Sequence, residues 1–333
     1  MKYVDDTKVF GRISSTEDVL NFQQDLDQIY SWAHSNKMKW NNLKLQLLRL
    51  GPDNQLKEDT LLFSEYHDQV VVESQTVKDL GVLMDRDLSY KTQRESAINK
   101  ANRKAGWVLR TFRTREQDFV RRTWRSLVLP HLDYCSLLWA PVSEKGDLLR
   151  NEGPLRSFSK KAWGLKHLSY WDRLKALKLQ SMERRNERYR ALYIYKMLHG
   201  YVPDIGLVKK ETRDFTRAGS SLLPISFKAS SAAMETKLQN SVLHHGVKIF
   251  NSLPQYIRDI PADLTKFKKE LDKFLNTVPD QPAVPGFTPG SKDLWGKPSN
   301  SIIDWIRTEN LRYDYEDLIR SEDANDDIIR NQY

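Results

Sequence analysis

Residues 77–112, VKDLGVLMDRDLSYKTQRESAINKANRKAGWVLRTF, contain the point at which the chain changes character. A strand is expected over 77–84, and after Asp85 the pattern becomes helical, with a helix over about 89–112. Strands precede this point. Lys2-Tyr3-Val4 and Thr7-Lys8-Val9-Phe10-Gly11 flank Asp5-Asp6 as a hairpin with a two-aspartate tip. Ser14 or Ser15 followed by Glu17 and Asp18 is a capping signal, and Val19, Phe22, Leu26, Ile29 and Ala33 recur on one face, predicting a helix over 16–37. Alternating Leu43, Leu45 and Leu47 read as a strand ended by Gly51-Pro52-Asp53-Asn54, and a further strand is expected at 69–73.

Helices follow the switch. They are expected at about 116–128, 144–163 and 172–199, separated by Pro130, Pro141 and Gly164. The last is amphipathic, with Leu174, Leu177, Met182, Tyr189, Leu192, Ile194 and Met197 among eight Lys/Arg, and Gly200 and Pro203 stop it. Residues 201–240 show little periodicity, a helical pattern returns over 236–276, and prolines and glycines mark a connector before a short helix at Ser301 to Arg307. The fold class is therefore α+β: a small antiparallel sheet region with hairpin, helix and strands at 1–85, then a mainly α-helical remainder divided at 86–200, 201–276 and 277–333.

Composition limits the classes of function. The 333 residues carry 53 Lys+Arg and 44 Asp+Glu, a net charge of +9, with 39% hydrophobic and 29% charged residues. This is too aromatic for a disordered chain and too charged for a membrane protein. The apolar run Leu137–Val142 falls far short of the roughly 20 residues that cross a bilayer, and no apolar stretch follows Met1. Cys135 is the only cysteine, which excludes an intramolecular disulfide and a cysteine-ligated zinc site and fits a reducing intracellular setting, cytoplasmic or nuclear. Charge is concentrated: Ile98 to Gly200 holds 23 Lys+Arg against 9 Asp+Glu, whereas Glu309 to Tyr333 holds 8 acidic and 3 basic residues.

Two constellations could carry chemistry. Adjacent carboxylates at Asp5 and Asp6 can ligate a hard cation such as magnesium, although an isolated Asp-Asp pair is ordinarily an exposed turn. The basic block places Arg103, Lys104, Arg110, Arg113, Arg115, Arg121, Arg122 and Arg125 among Trp107, Trp124 and Trp139. It reads as a phosphate-binding surface with stacking aromatics or, equally, as a solvated helical face over an aromatic core. Cys135 reads as a buried core residue, and His244-His245 as an ordinary polar pair. Phosphate loops, dinucleotide fingerprints and GxSxG elbows are absent from the sequence.

Tyr3-Val4-Asp5-Asp6-Thr7 resembles the catalytic hairpin of reverse transcriptases from LINE-type, Jockey-like non-LTR retrotransposons. Trp32, Asn36, Met38, Asn41 and Lys44 resemble the helix and strand after that hairpin, and Val77-Lys78-Asp79-Leu80-Gly81-Val82 its primer grip. Gly106 to Phe112, Ser126 to Pro130, Leu132 to Trp139 and Glu183 to Tyr189 resemble thumb segments, and Phe250-Asn251-Ser252-Leu253-Pro254 a later element. The resemblance implies a palm remnant at 1–85, a thumb at 86–200, a C-terminal extension at 201–276, and a Pro/Gly-rich linker with an acidic tail at 277–333. It implies two-metal nucleotidyl transfer with Asp5 and Asp6 as magnesium ligands and Lys44 protonating the leaving group. It further implies Lys78 and Gly81 at the primer end, and Arg184, Arg185 and Arg188 beside the other basic residues on an RNA template and DNA primer. Fingers and most of the palm are missing, so this chain alone is expected to be catalytically incomplete, with an open sheet edge able to self-associate. A non-catalytic nucleic-acid-binding module at 98–200 and a functionless transposon relic are the competing expectations.

Overall fold

Asp85 makes the strand-to-helix switch physical. Its carboxylate accepts hydrogen bonds from Thr76 Oγ1 at 3.0 Å on the neighbouring strand, and from the Thr92 amide at 3.1 Å and Ser89 Oγ at 3.3 Å at the start of the next helix. Burial works against its charge, but the bonds from Thr92, Thr76 and Ser89 outweigh it and hold the carboxyl below the usual carboxylate range. The computed structural model describes residues 2–3, 6–41, 44–51, 70–142, 145–205, 222–223, 237–238, 241–282 and 300–309. Most of the aperiodic segment 201–240, the connector 283–299 and the acidic tail 310–333 lie outside them, as do the side chains of residues 2, 3 and 6.

The chain divides into two units, Met1–Gln93 and Arg94–Tyr333, and mixes helix with small antiparallel sheets, so α+β holds in this coarse sense. In the first unit, β1 (Lys2–Tyr3) pairs with β2 (Asp6–Thr7), with Tyr3 opposite Asp6. Helix α1 (Thr16–Ser35) starts where expected. Ser15 Oγ accepts from the Asp18 amide at 3.2 Å, while Asp18 Oδ2 accepts from the Ser15 amide at 2.9 Å, a reciprocal cap. Val19 packs with Val71 and the half-buried Ile13, Phe22, Leu26, Leu45 and Leu47.

Three strand expectations change. Among the described residues, the strands at 43–48 and 69–73 are reduced to isolated bridging, with Leu47 pairing in parallel with Glu73. The strand at 77–84 is a hairpin of β3 (Thr76–Asp79) and β4 (Val82–Asp85). Leu80 at φ 43° and Gly81 at φ 87° form its two-residue turn, and positive φ at both central positions matches the right-handed twist of the strands.

The second unit is helical: α2 (Lys91–Thr111, which begins in the first unit), α3 (Gln117–Thr123), a π-helical turn (Trp124–Val128), α4 (Pro130–Asp133), α5 (Ser136–Trp139), α6 (Lys145–Ser159), α7 (Tyr170–Leu177) and α8 (Met182–Leu198). Beyond these come α9 (Val242–Ser252), α10 (Gln255–Arg258), α11 (Leu264–Thr277) and α12 (Ile302–Glu309). The single helix expected over 172–199 is broken: Lys178 adopts φ 51°, and Ser181 caps α8 by accepting from the Arg184 amide at 3.1 Å. Among the described residues, the stretch 242–276 is three helices, because Pro254 and Pro261 interrupt it and Asp263 caps α11. Tyr195 stacks on Phe267 at 3.8 Å between ring centroids, inside a core shared by α8, α9, α11 and Ile302. A Cβ on Gly246 would lie 3.1 Å from Ile194 Cγ1, so glycine permits the close approach of α9 to α8. Cys135 is not a core residue: it is exposed, at φ 51° between α4 and α5. Among the described residues, no helix is long and apolar enough to cross a membrane.

Candidate nucleic-acid interface

Helix α2 separates two chemistries by spacing alone. Ala97, Ala101, Ala105 and Val108 are buried, and their small side chains allow close packing. Lys100, Arg103, Trp107 and Arg110, three or four residues apart, lie on the exposed face, with Asn99 and Asn102 also exposed and Lys104 half-buried. Lys100 and Arg110 are roughly 15 Å apart along the axis. Ser96, Asn99, Asn102 and Arg103 line an open depression of about 450 Å³ on this face. Among the described residues Lys100, Arg103, Arg110 and Arg113 form no salt bridge. Burial and the nearby cations of Lys104, Lys100 and Arg103 hold His131 below the usual imidazole range, so it adds no positive charge at neutral pH.

The C-terminal end of α2 is aromatic. Trp107 is 43% exposed, and its ring meets Phe112 edge-on at 6.1 Å between centroids while the Lys104 ammonium stands 4.6 Å from its ring centroid. Phe112 in turn packs on Phe119 at 5.3 Å. Arg115 fixes this corner by donating to the carbonyls of Leu109 and Thr114 at 2.6 Å each and to that of Phe112. The Trp163 amide donates to the Arg115 carbonyl at 2.9 Å, and the Trp163 side chain is 55% exposed with Lys160 and Lys161 exposed nearby in sequence. Trp124 and Trp139, by contrast, are core residues at 1% exposure.

The remaining basic residues divide into surface and interior. Arg121 and Arg122 both pair with Asp118, and exposed Arg125 donates to the Lys178 carbonyl at 2.7 Å. Arg185 is held at 2.6 Å by Asp133 and also donates to Tyr189 Oη at 2.6 Å; Arg188 forms a two-pronged bond with Asp272. Arg184 requires a correction. It is fully buried, donating from Nη1 to the carbonyls of Leu275 at 3.1 Å and Val278 at 2.9 Å, and from Nη2 to those of Pro279 at 3.1 Å and Asn300 at 3.0 Å, with Nε 3.4 Å from Glu187 Oε2. This side chain ties α8 to the residues after α11 and before α12 and presents nothing to a phosphate. Glu187 completes the tie by accepting from the Ser301 hydroxyl and, at 3.1 Å, from the Ile302 amide at the start of α12.

In the first unit, Lys44 and Lys78 are exposed and Gly81 forms the tip of a turn. Asp5 lies outside the described residues. Asp6 is placed by its backbone in β2; among the described residues no group of three or more His, Cys, Asp or Glu could hold a metal ion. The surface residues that sequence reasoning passed over are Lys100, Asn99, Asn102, Phe112 and Trp163. The first could have been found from the 100-103-107-110 spacing opposite the alanines. Comparison with protein-family models, curated proteins and solved structures finds no match to this chain.

Proposed function

We propose that this chain binds nucleic acid through the exposed face of α2, gripping the phosphate backbone of an RNA–DNA primer–template in the manner of the thumb of the LINE-type reverse transcriptases its motifs resemble. The observation that carries the reading is the run Lys100, Arg103 and Arg110 on the exposed face of one helix, continued by Arg113, with no carboxylate paired to any of them among the described residues. Such contacts position a duplex without reading its sequence. Four neutralised phosphates give a slope of log affinity against log salt of about −3.6 on duplex. The test is fluorescence anisotropy of a labelled primer–template over a salt series, for the wild type and for Lys100→Glu with Arg103→Glu. A slope reduced by about two in the variant supports the reading, and an unchanged slope overturns it.

A second reading is nucleotidyl transfer, with Asp5, Asp6 and Lys44 as its residues and magnesium as its cofactor. The register of β1 on β2 favours it, because Tyr3 opposite Asp6 leaves the resembling string on a hairpin. Magnesium bound there would activate the primer hydroxyl and stabilise the leaving pyrophosphate. Primer extension with magnesium or manganese that is lost on Asp5→Asn supports this reading, and no extension by folded wild type removes it.

A further inference from the structure

We infer that the aromatic end of α2, around Trp107, binds the unpaired bases of a single-stranded overhang adjoining a duplex; this rests on the nucleic-acid reading above and specifies what the site takes. The three tryptophans of the basic block differ sharply in exposure. Trp124 and Trp139 are enclosed, whereas Trp107 leaves 43% of its surface open although Phe112, itself packed on Phe119, meets its ring edge-on. Bases within a duplex present only their edges in the grooves, because their faces are already stacked on one another. Bases in a single strand expose those faces, and stacking on an aromatic ring then adds to phosphate contacts.

The surroundings suit a strand that leaves the duplex. Lys104 stands against the same ring, so its ammonium can meet a phosphate beside a stacked base. Arg110 and Arg113 are exposed on either side of Phe112 in sequence. Arg115 ties down the turn that carries Phe112 and, through its carbonyl, accepts from the Trp163 amide, so the backbone of a second exposed tryptophan is anchored to this turn. The cations Lys100 and Arg103 continue along α2 toward the polar depression lined by Ser96, Asn99 and Asn102. One helix thus offers a backbone-binding stripe at its middle and a base-stacking corner at its C-terminal end.

The test compares a blunt RNA–DNA duplex with the same duplex carrying an eight-nucleotide overhang, by anisotropy at fixed salt. The wild type is expected to prefer the overhang-bearing probe by roughly tenfold or more. Trp107→Ala brings the affinities for the two probes together, and Trp107→Phe, which keeps an aromatic face, retains most of the preference. Equal wild-type affinity for the two probes overturns this inference and leaves the backbone-binding proposal standing, as does a Trp107→Ala variant that keeps the full preference. Failure of folded wild type to bind either probe overturns both. Loss of blunt-duplex binding in Trp107→Ala, with Trp107→Phe also losing the overhang preference, overturns the inference by making the residue a packing element.

Discussion

Replacing Arg184 by methionine tests whether the basic character of α8 belongs to the fold. Methionine keeps much of the side-chain volume and removes the guanidinium, which deprives four carbonyls, the buried ones of Leu275, Val278 and Asn300 and the half-buried one of Pro279, of their donor. It also leaves the Glu187 carboxyl inside the protein without its nearest cation. Net hydrogen bonds to a charged group are each about 1.5–3 kcal/mol, and removing one partner of a buried pair costs about 3–5 kcal/mol; the two overlap, so the expected loss is about 3–5 kcal/mol. Against a domain stability of about 5–15 kcal/mol this is a large fraction. Urea unfolding followed by far-ultraviolet circular dichroism reads the loss as a shift in midpoint at constant slope. Adding Glu187→Gln to Arg184→Met removes the carboxyl that Arg184 faced and should recover a measurable part, so the two changes should be non-additive. A loss below about 1 kcal/mol, or strict additivity, refutes the reasoning.

Four further outcomes follow from the structure. Burial raises Glu152 and Glu187 to about 7; the folded state then holds protons that the unfolded chain releases from about 4.5 upward, so their contribution to stability falls as pH rises through this window. Half-buried His245, lowered to about 3 chiefly by desolvation, acts in the opposite sense. The readout is therefore the difference between wild type and Glu152→Gln, which should move against the wild type by up to roughly 3 kcal/mol between pH 5 and 7.5, and a constant difference contradicts it. Leu80→Asn should raise stability by up to about 1 kcal/mol, because asparagine tolerates the positive φ that leucine adopts beside Gly81; slower amide exchange across β3 and β4 checks this. Gly246→Ala should cost about 1–3 kcal/mol by thermal unfolding, with partial rescue by Ile194→Val, which trims the side chain that the new Cβ meets. Arg184→Glu should abolish folding and binding together, whereas Lys100→Glu should weaken binding in a protein with an unchanged melting curve.

Local signals in the sequence located elements well where one residue's chemistry decided the outcome. The Ser15–Asp18 cap fixed the start of α1, and the change of pattern at Asp85 matched a residue that bonds to both the strand and the helix it separates. Breaks made by ordinary residues were not legible. Leu80 is apolar and extends a strand pattern, yet it occupies a turn at positive φ. Lys178 to Ser181 contains neither glycine nor proline, and α7 and α8 part there because Ser181 caps α8 and bonds to Asp280, 99 residues away. Charge was legible in sum and illegible in disposition. Of the arginines at 184, 185 and 188, one is enclosed and two are held by aspartates on other helices, partners that no local pattern reveals. The exposed face of α2 was legible, because burial of alanines at four-residue spacing dictates which residues remain outside.

The most direct test of the account is the salt dependence of binding to an RNA–DNA primer–template. Anisotropy between 50 and 300 mM salt, on the order of the range used for such titrations, should give a slope near −3.6 for the wild type and about two less in magnitude for Lys100→Glu with Arg103→Glu. A folded protein that does not bind, or binding whose slope ignores both cations, contradicts the assignment of α2 as the nucleic-acid surface.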